Sequence, residues 1–468
     1  MTDPPITRRA SYGPSSPDVG ARGVHTRQRI TDVSLRLFGE LGYFDTSVDA
    51  IAKAADISRA TLYQYFSGKD EIFLELLDDC GNAMMRVVRR IGPLGSDAVG
   101  VDNLNWWLGE WRWVFEKYET LFFQWTAIAA ADVRARHRFQ ERLRSYHDRI
   151  AERLVSSGIE GVTPLVAAVV MTVLVHRLNL LMHSQFAYGR EATPAIDALT
   201  VFLQLFLFPE TPHEALASIG ITPSVEASAD SHRAPKRSSP SQQLASFDDR
   251  VEGLSKRAVK TVETLIASGL NQFRARGYRR TSVDDIIEAA GVARGTFYKY
   301  FSDKADLLAA ATAQTHLAAS HLAEQITDVD PCDSNAELQE CLLRYIEFTD
   351  LYSGCIDAWE DATTDNEPVL AYGADSLALI DGAISAMLSR RPLRYPIDPT
   401  ICALIVRALV TYLPHVGPGW GAPVHRKWFA ELITVCIERG FYGSTMAMSE
   451  QSGPAVESTD SPSGKLDG

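Results

Sequence analysis

The sequence contains one stretch twice. Residues 42–69, GYFDTSVDAIAKAADISRATLYQYFSGK, return at 277–304 as GYRRTSVDDIIEAAGVARGTFYKYFSDK. The offset is 235 throughout, no gap intervenes, and at least half of the aligned positions are identical. A repeat of this kind sets the architecture before any other signal is weighed. Whatever one copy folds into, the chain must hold two.

One copy reads as two short helices about a turn. Thr46 supplies a hydroxyl N-cap with Asp49 three residues on, close to a capping box. Val48, Ile51 and Ala52 follow at helical spacing on one face. Ala55-Asp56-Ile57 interrupts that face; the repeat has Ala290-Gly291-Val292, with glycine where a tight turn favours positive φ. Ser58, or Ala293 in the repeat, opens the next helix, which buries Leu62 and Phe66. The second helix of a helix-turn-helix enters the DNA major groove.

The outer face of that second helix presents Arg59, Thr61, Tyr63 and Tyr65, with Lys69 just beyond it. The repeat presents Arg294, Thr296, Tyr298, Tyr300 and Lys304. Arginine grips guanine O6 and N7 with both arms of its fork, which specifies sequence. Threonine, tyrosine and lysine suit phosphate oxygens, which fix register. Aromatic residues at helical spacing also pack cores, but two copies, each behind a capped helix and followed by lysine, favour a DNA face.

These motifs resemble the DNA-binding domain of the TetR family of transcriptional regulators, once in each half. Each half is also similar in length to one family subunit. The likeness is specific in the two helix-turn-helix units and weak elsewhere. It implies an all-α fold of two tandem TetR-like units, each a DNA-binding domain followed by a helical bundle that binds ligand and dimerises. The expected boundaries are 24–69 and 70–208 for the first unit, and 250–304 and 305–442 for the second. Residues 1–23 and 443–468 read as disordered tails and 209–249 as a linker. The DNA contacts implied are Thr46, Ser47, Ser58, Arg59, Ala60, Thr61, Tyr63, Gln64, Tyr65 and Lys69. Their counterparts are Thr281, Ser282, Ala293, Arg294, Gly295, Thr296, Tyr298, Lys299, Tyr300 and Lys304. The partners implied are a double-stranded DNA operator, a small-molecule effector, and a two-fold mate, either the other half of the chain or a second chain. Because Ala60 stands against Gly295 and Gln64 against Lys299, pairing of the halves predicts an imperfect palindrome.

Charge distinguishes the two units. The whole chain carries −13, which argues against indiscriminate coating of nucleic acid. Residues 274–304 hold seven basic and four acidic side chains, net +3, whereas 27–69 hold six and five, net +1. On charge alone the second unit is the better DNA binder. An alternative is an interaction or sensor protein in which one or both units no longer read DNA.

The effector is expected among aromatics. In the first half Trp106, Trp107, Trp111, Trp113, Phe115, Tyr118, Phe122, Phe123 and Trp125 crowd one stretch. Most must be core, but aromatic walls with few polar groups also make small-molecule pockets. Trp107, Trp111, Phe115, Phe122, Trp125 and His176 are the candidate ligand contacts, with Phe348, Tyr352 and Trp359 in the less aromatic second half. His176 and His183 could share a face, but without a carboxylate at ligand spacing they are expected to be structural, so no metal is expected.

The remaining signals are negative or bland. PLVAAVVMTVLVHRLNLLM, at 164–182, approaches the length of a membrane span but is interrupted by His176 and Arg177. With the apolar run after Pro194 it resembles the family's dimerising helix pair, so no membrane is expected. Six cysteines form no C-x-x-C pair, and with no apolar leader in 1–20 they read as reduced thiols of a cytoplasmic protein. P-loop, G-x-S-x-G, H-E-x-x-H and dinucleotide fingerprints are missing, so neither an enzyme nor a cofactor is expected.

Overall fold

The computed structural model describes residues 21–183, 192–218, 220, 244, 250–331, 334–360, 366–416 and 425–449. Among the described residues the secondary structure is helical, with no strand. The first half runs α1 (Ala21–Leu41), α2 (Val48–Ala54), α3 (Arg59–Tyr65), α4 (Lys69–Arg90), α5 (Ala98–Ala131), α6 (Val133–Ser157), α7 (Pro164–Met182), α8 (Ala192–Leu207) and α9 (His213–Ala217). The second runs α10 (Lys256–Arg276), α11 (Val283–Ala290), α12 (Arg294–Tyr300), α13 (Lys304–Asp328), α14 (Asn335–Glu360), α15 (Glu367–Leu388), α16 (Pro399–Val416) and α17 (Arg426–Tyr442).

Local chemistry sets many of the boundaries. Asp97, Asp132 and Thr163 each accept a backbone N–H at the start of α5, α6 and α7, and Pro164 occupies the first turn of α7. α6 stops at Gly158, whose φ of 66° is open to glycine at little cost. The capping expectation at α2 is off by one residue. Ser47, not Thr46, is the N-cap and accepts from the Ala50 N–H. Thr46 is buried instead, and its hydroxyl donates to the Gly42 and Leu37 carbonyls. The repeat does the same: Ser282 forms a full capping box with Asp285, and Thr281 donates to the Gly277 and Gln272 carbonyls.

α7 and α15 are long and apolar enough to cross a membrane, by length and composition. In α7 the apolar side chains face protein: its residues 166–175 are all buried, between α6 on one side and α16 on the other. α15 packs on α13 and α16. α7 therefore serves as a core helix here, and α15 as a partly buried bundle helix.

Helices α7 and α8 of the first half meet the last two helices of the second. α7 packs on α16, and α8 on α17. Phe202 of α8 and Phe441 of α17 lie 4.7 Å apart, and a Cβ on Gly440 would come within 2.4 Å of the Phe202 ring, so glycine is what lets these helices close. Buried Arg439 of α17 donates to the Phe206 and Leu207 carbonyls at the end of α8, filling acceptors that a helix C-terminus leaves open. Residues 443–449, expected to be tail, lie beside the first half: the Met448 N–H donates to the Gly161 carbonyl at 2.9 Å. Residues 209–217, expected to be linker, carry α9, whose Leu216 packs in a small apolar cluster with Tyr395. The expected tails at 1–20 and 450–468, most of the linker and the GPGWGAP turn lie outside the described residues.

The two reading units are attached to the bundles differently. On the second, α10 lies against α14 at Gly354, where a Cβ would be 2.0 Å from the Leu270 carbonyl oxygen and 3.0 Å from the Arg274 nitrogen. On the first, the Gln124 side chain of α5 joins α1 to the bundle, accepting from the Tyr43 N–H at 2.7 Å and donating to the Phe38 carbonyl.

Candidate nucleic-acid interface and effector pocket

Each reading helix is short and held by one buried face. Leu62 and Phe66 anchor α3, and Phe297 and Phe301 anchor α12; all four are 0–1% exposed. Ser58 caps α3 through the Thr61 N–H, while Ala293 leaves α12 without a side-chain cap. The opposite face is open: Arg59, Ala60, Tyr63 and Gln64 are exposed on α3, as are Arg294, Gly295, Tyr298 and Lys299 on α12. Thr61 and Thr296 are partly covered. Tyr65 and Tyr300, expected on the DNA face, instead pack their rings partly against the core.

The two arginines are poised alike. Arg59 pairs with Asp49 of α2 at 3.3 Å and donates to the Tyr63 hydroxyl at 3.4 Å. Arg294 pairs with Asp284 of α11 at 3.0 Å and lies over the Tyr298 ring. The tyrosine hydroxyl first, and then the aspartate, raise each guanidinium above its usual range. Asp49 and Asp284 are thus companions of the reading arginines, a role the sequence signalled only by recurring at the same offset.

Lys69 and Lys304 do something other than the expected phosphate contact. Lys69 Nζ donates to the carbonyls of Tyr43, Phe44 and Thr46, at 2.8, 3.0 and 3.0 Å. Lys304 Nζ donates to those of Tyr278, Arg279 and Thr281, at 3.0, 3.0 and 2.9 Å. Burial lowers the pKa of both ammonium groups. Three donors meet three carbonyls, so each lysine ties the loop before the helix-turn-helix to the first turn of the helix entering the bundle. The buried Thr46 and Thr281 hydroxyls are likewise committed internally, and Ser47 and Ser282 are exposed caps. Lys69→Met is therefore expected to destabilise the first unit by about 1–3 kcal/mol, as loss of charged hydrogen bonds does. The salt dependence of DNA binding should keep its slope; a slope shallower by about one counterion would mark a phosphate contact instead.

A narrow cleft, with a cavity volume of about 30 Å³, lies between α4, α5 and α6. Its apolar wall includes Leu77, Met84, Leu121, Phe122, Trp125, Phe139 and Leu143, with Arg138 and Arg142 also lining it. Both arginines pair with Asp78, at 3.3 and 3.1 Å. Of the candidate ligand contacts, Phe122 and Trp125 line this cleft. Trp107, Trp111 and Phe115 are fully buried. Phe115 stacks on Phe122 at 5.3 Å, and His176 sits 5.1 Å from the same ring, so they support the wall without lining it. Burial, with Arg177 beside it, pushes the His176 imidazole down to about 3, which keeps it neutral. Tyr146 also lines the cleft. Its buried hydroxyl lies close to the buried indole N–H groups of Trp111 and Trp107, which oppose the rise in its pKa that burial causes.

The second half fills its aromatic positions differently. Trp359 is 0% exposed, donates to Thr312 Oγ1 at 3.1 Å, and covers Gly373, where a Cβ would lie 2.6 Å from the ring. Phe348 and Tyr352 pack with tilted rings, centroids 5.1 Å apart. Among the described residues no cluster of His, Cys, Asp and Glu is placed to hold a metal, and the five described cysteines are buried.

Comparison with known proteins agrees with this geometry. The profile described as "Bacterial regulatory proteins, tetR family" matches residues 30–76 and again 265–311, which cover both helix-turn-helix units. The chain thus carries the TetR-family DNA-binding domain twice, as two TetR-like units in tandem. It is 29% identical over 128 residues to the biofilm operon icaADBC HTH-type negative transcriptional regulator IcaR of Staphylococcus epidermidis, covering 26% of this chain and 66% of that protein. It is 47% identical over 51 residues to the HTH-type transcriptional regulator AcrR of Shigella flexneri, 11% of this chain and 24% of that one. With the HTH-type transcriptional regulator TtgR of Pseudomonas putida it shares 33% over 94 residues, 20% and 45% of the two chains. The matches thus span about two thirds of the first relative and less than half of the other two.

Proposed function

We propose that the chain is a sequence-specific DNA-binding regulator of transcription, a repressor released by a small, mainly apolar ligand. The observation that carries this is the pair of exposed reading faces, Arg59–Tyr63–Gln64 and Arg294–Tyr298–Lys299, each set on a buried aromatic anchor. The negative regulator named among the relatives supports the repressor sense. The packing of α7 and α8 on α16 and α17 supports an intrachain pseudo-dimer, with one chain supplying both reading helices. Two-fold regulators of this geometry place such helices in successive major grooves, about 34–36 Å apart.

The ligand is proposed for the cleft of the first half, with Tyr146 offering a hydrogen bond to an acceptor on an otherwise apolar molecule. Occupancy would bias α4 and hence the first reading unit. Such coupling requires that the ligand bind the two states with different affinity. A second reading, in which the first unit no longer reads DNA, is favoured by one observation: its net charge of only +1 against +3.

Footprinting of the chain on the DNA upstream of its own gene tests both. The expected result is one protected imperfect palindrome whose two half-sites differ, since Gln64 and Lys299 differ. Protection of one half-site only would support the second reading. A perfect palindrome selected from random DNA would count against internal pairing.

A further inference from the structure

The repeat diverges most pointedly just before its helix-turn-helix, where GYFDTS in the first copy stands against GYRRTS in the second. Phe44 and Arg279 are equivalent positions, as are Asp45 and Arg280. In the structure these four residues meet, and they meet crosswise. Asp45 Oδ2 lies 3.7 Å from Arg279 Nη1, and the Arg280 guanidinium lies 4.4 Å from the centre of the Phe44 ring. The first position of each copy touches the second position of the other, the pattern of a contact across a two-fold axis. Yet the chemistry is not self-complementary. Two Phe-Asp copies would bring no cation to either ring or carboxylate, and two Arg-Arg copies would gather four guanidiniums. Only one of each yields an ion pair and a cation–π contact.

We propose that Phe44–Asp45 and Arg279–Arg280 form a heterotypic clasp. It mates the first reading unit with the second unit of the same chain and holds the two at one separation. The inference rests on the intrachain pairing proposed above. The loops that carry the clasp are firmly seated, since Lys69 and Lys304 bond their carbonyls, and Gln124 bonds the Tyr43 N–H. The clasp itself is light: the Asp45 and Arg279 side chains are 69% and 68% exposed, where ion pairs are weak and screened. A light clasp on seated loops discriminates between partners while remaining easy to open. It also disfavours mating of like units from two chains, because like loops present like charges to each other.

Pulsed dipolar spectroscopy of the full chain without DNA tests this. Spin labels go on Lys53→Cys and Glu288→Cys, exposed equivalent positions outside both the clasp and the reading faces, in a Cys332→Ser background. The clasped protein should give one narrow distance that survives dilution with unlabelled chain. Arg279→Asp should raise the population outside that distance about two- to fivefold, as expected for an exposed pair. The charge swap Asp45→Arg with Arg279→Asp should restore it, with unchanged melting in all three proteins. An unaltered distribution in Arg279→Asp would overturn the proposal, as would a swap that fails to restore it. A distance lost on dilution would mean mating between chains and would overturn it as well. DNA takes no part, so a failed footprint would bear on the regulator reading alone.

Discussion

Trp359→Ala is expected to cost the second bundle about 3–5 kcal/mol, the range for deleting a large aromatic from a closed core. Trp359 is fully buried, covers Gly373 and donates to Thr312 Oγ1. Its removal leaves a cavity and strands a buried hydroxyl whose remaining side-chain contact is with Cys355 Sγ at 3.4 Å. The readout is the urea midpoint together with the near-ultraviolet circular dichroism of the remaining tryptophans. Trp125→Ala is the contrast: that ring is partly exposed, tilted against Phe139 at 4.1 Å and lining the cleft. It should cost markedly less stability and mainly weaken ligand binding. Equal losses in the two variants would refute the distinction between a filled second bundle and an open first one.

Arg59→Ala and Arg294→Ala are each expected to weaken operator binding roughly 5- to 150-fold, the range for losing one bidentate base contact. The loss should fall on one base position of one half-site, with little change in affinity for unrelated DNA. Both arginines sit over a tyrosine and beside an aspartate, which restricts the fork before DNA arrives. Arg→Lys should therefore rescue little, because an ammonium cannot present two parallel donors. Titration of the two variants against mutated half-sites separates the contributions. If either variant binds as the wild type does, that unit does not read a base.

The helix-turn-helix units were legible because the repeat is gapless and their buried positions, Leu62, Phe66, Phe297 and Phe301, recur at helical spacing. Roles that depend on where a side chain turns were not. A lysine after a reading helix suits a phosphate and a ring of carbonyls equally well, and only the position of the preceding loop chooses between them for Lys69 and Lys304. The threonine–serine pairs at 46–47 and 281–282 hide the N-cap for a similar reason, since either hydroxyl could serve. The aromatic crowd marked the region of the cleft, but periodicity does not say which rings face inward, so Trp107 and Trp111 could not be told from Phe122 and Trp125. The divergence of Phe44–Asp45 from Arg279–Arg280 carries no meaning in the sequence by itself. Its meaning required seeing the two loops side by side.

The attachment of α10 at Gly354 has a mechanical consequence. Where backbone touches backbone at 2.0 Å from an imagined Cβ, two helices cannot slide or tilt without collision. The first unit meets α5 through side chains instead, with Gln124 bonded to Tyr43 and Phe38, and Gly39 facing Thr120 Oγ1. On the proposed function, the pair would act as a calliper with one fixed jaw and one travelling jaw. A change of gauge would be expected to fall on the first unit, whose side-chain contacts yield before a backbone contact does.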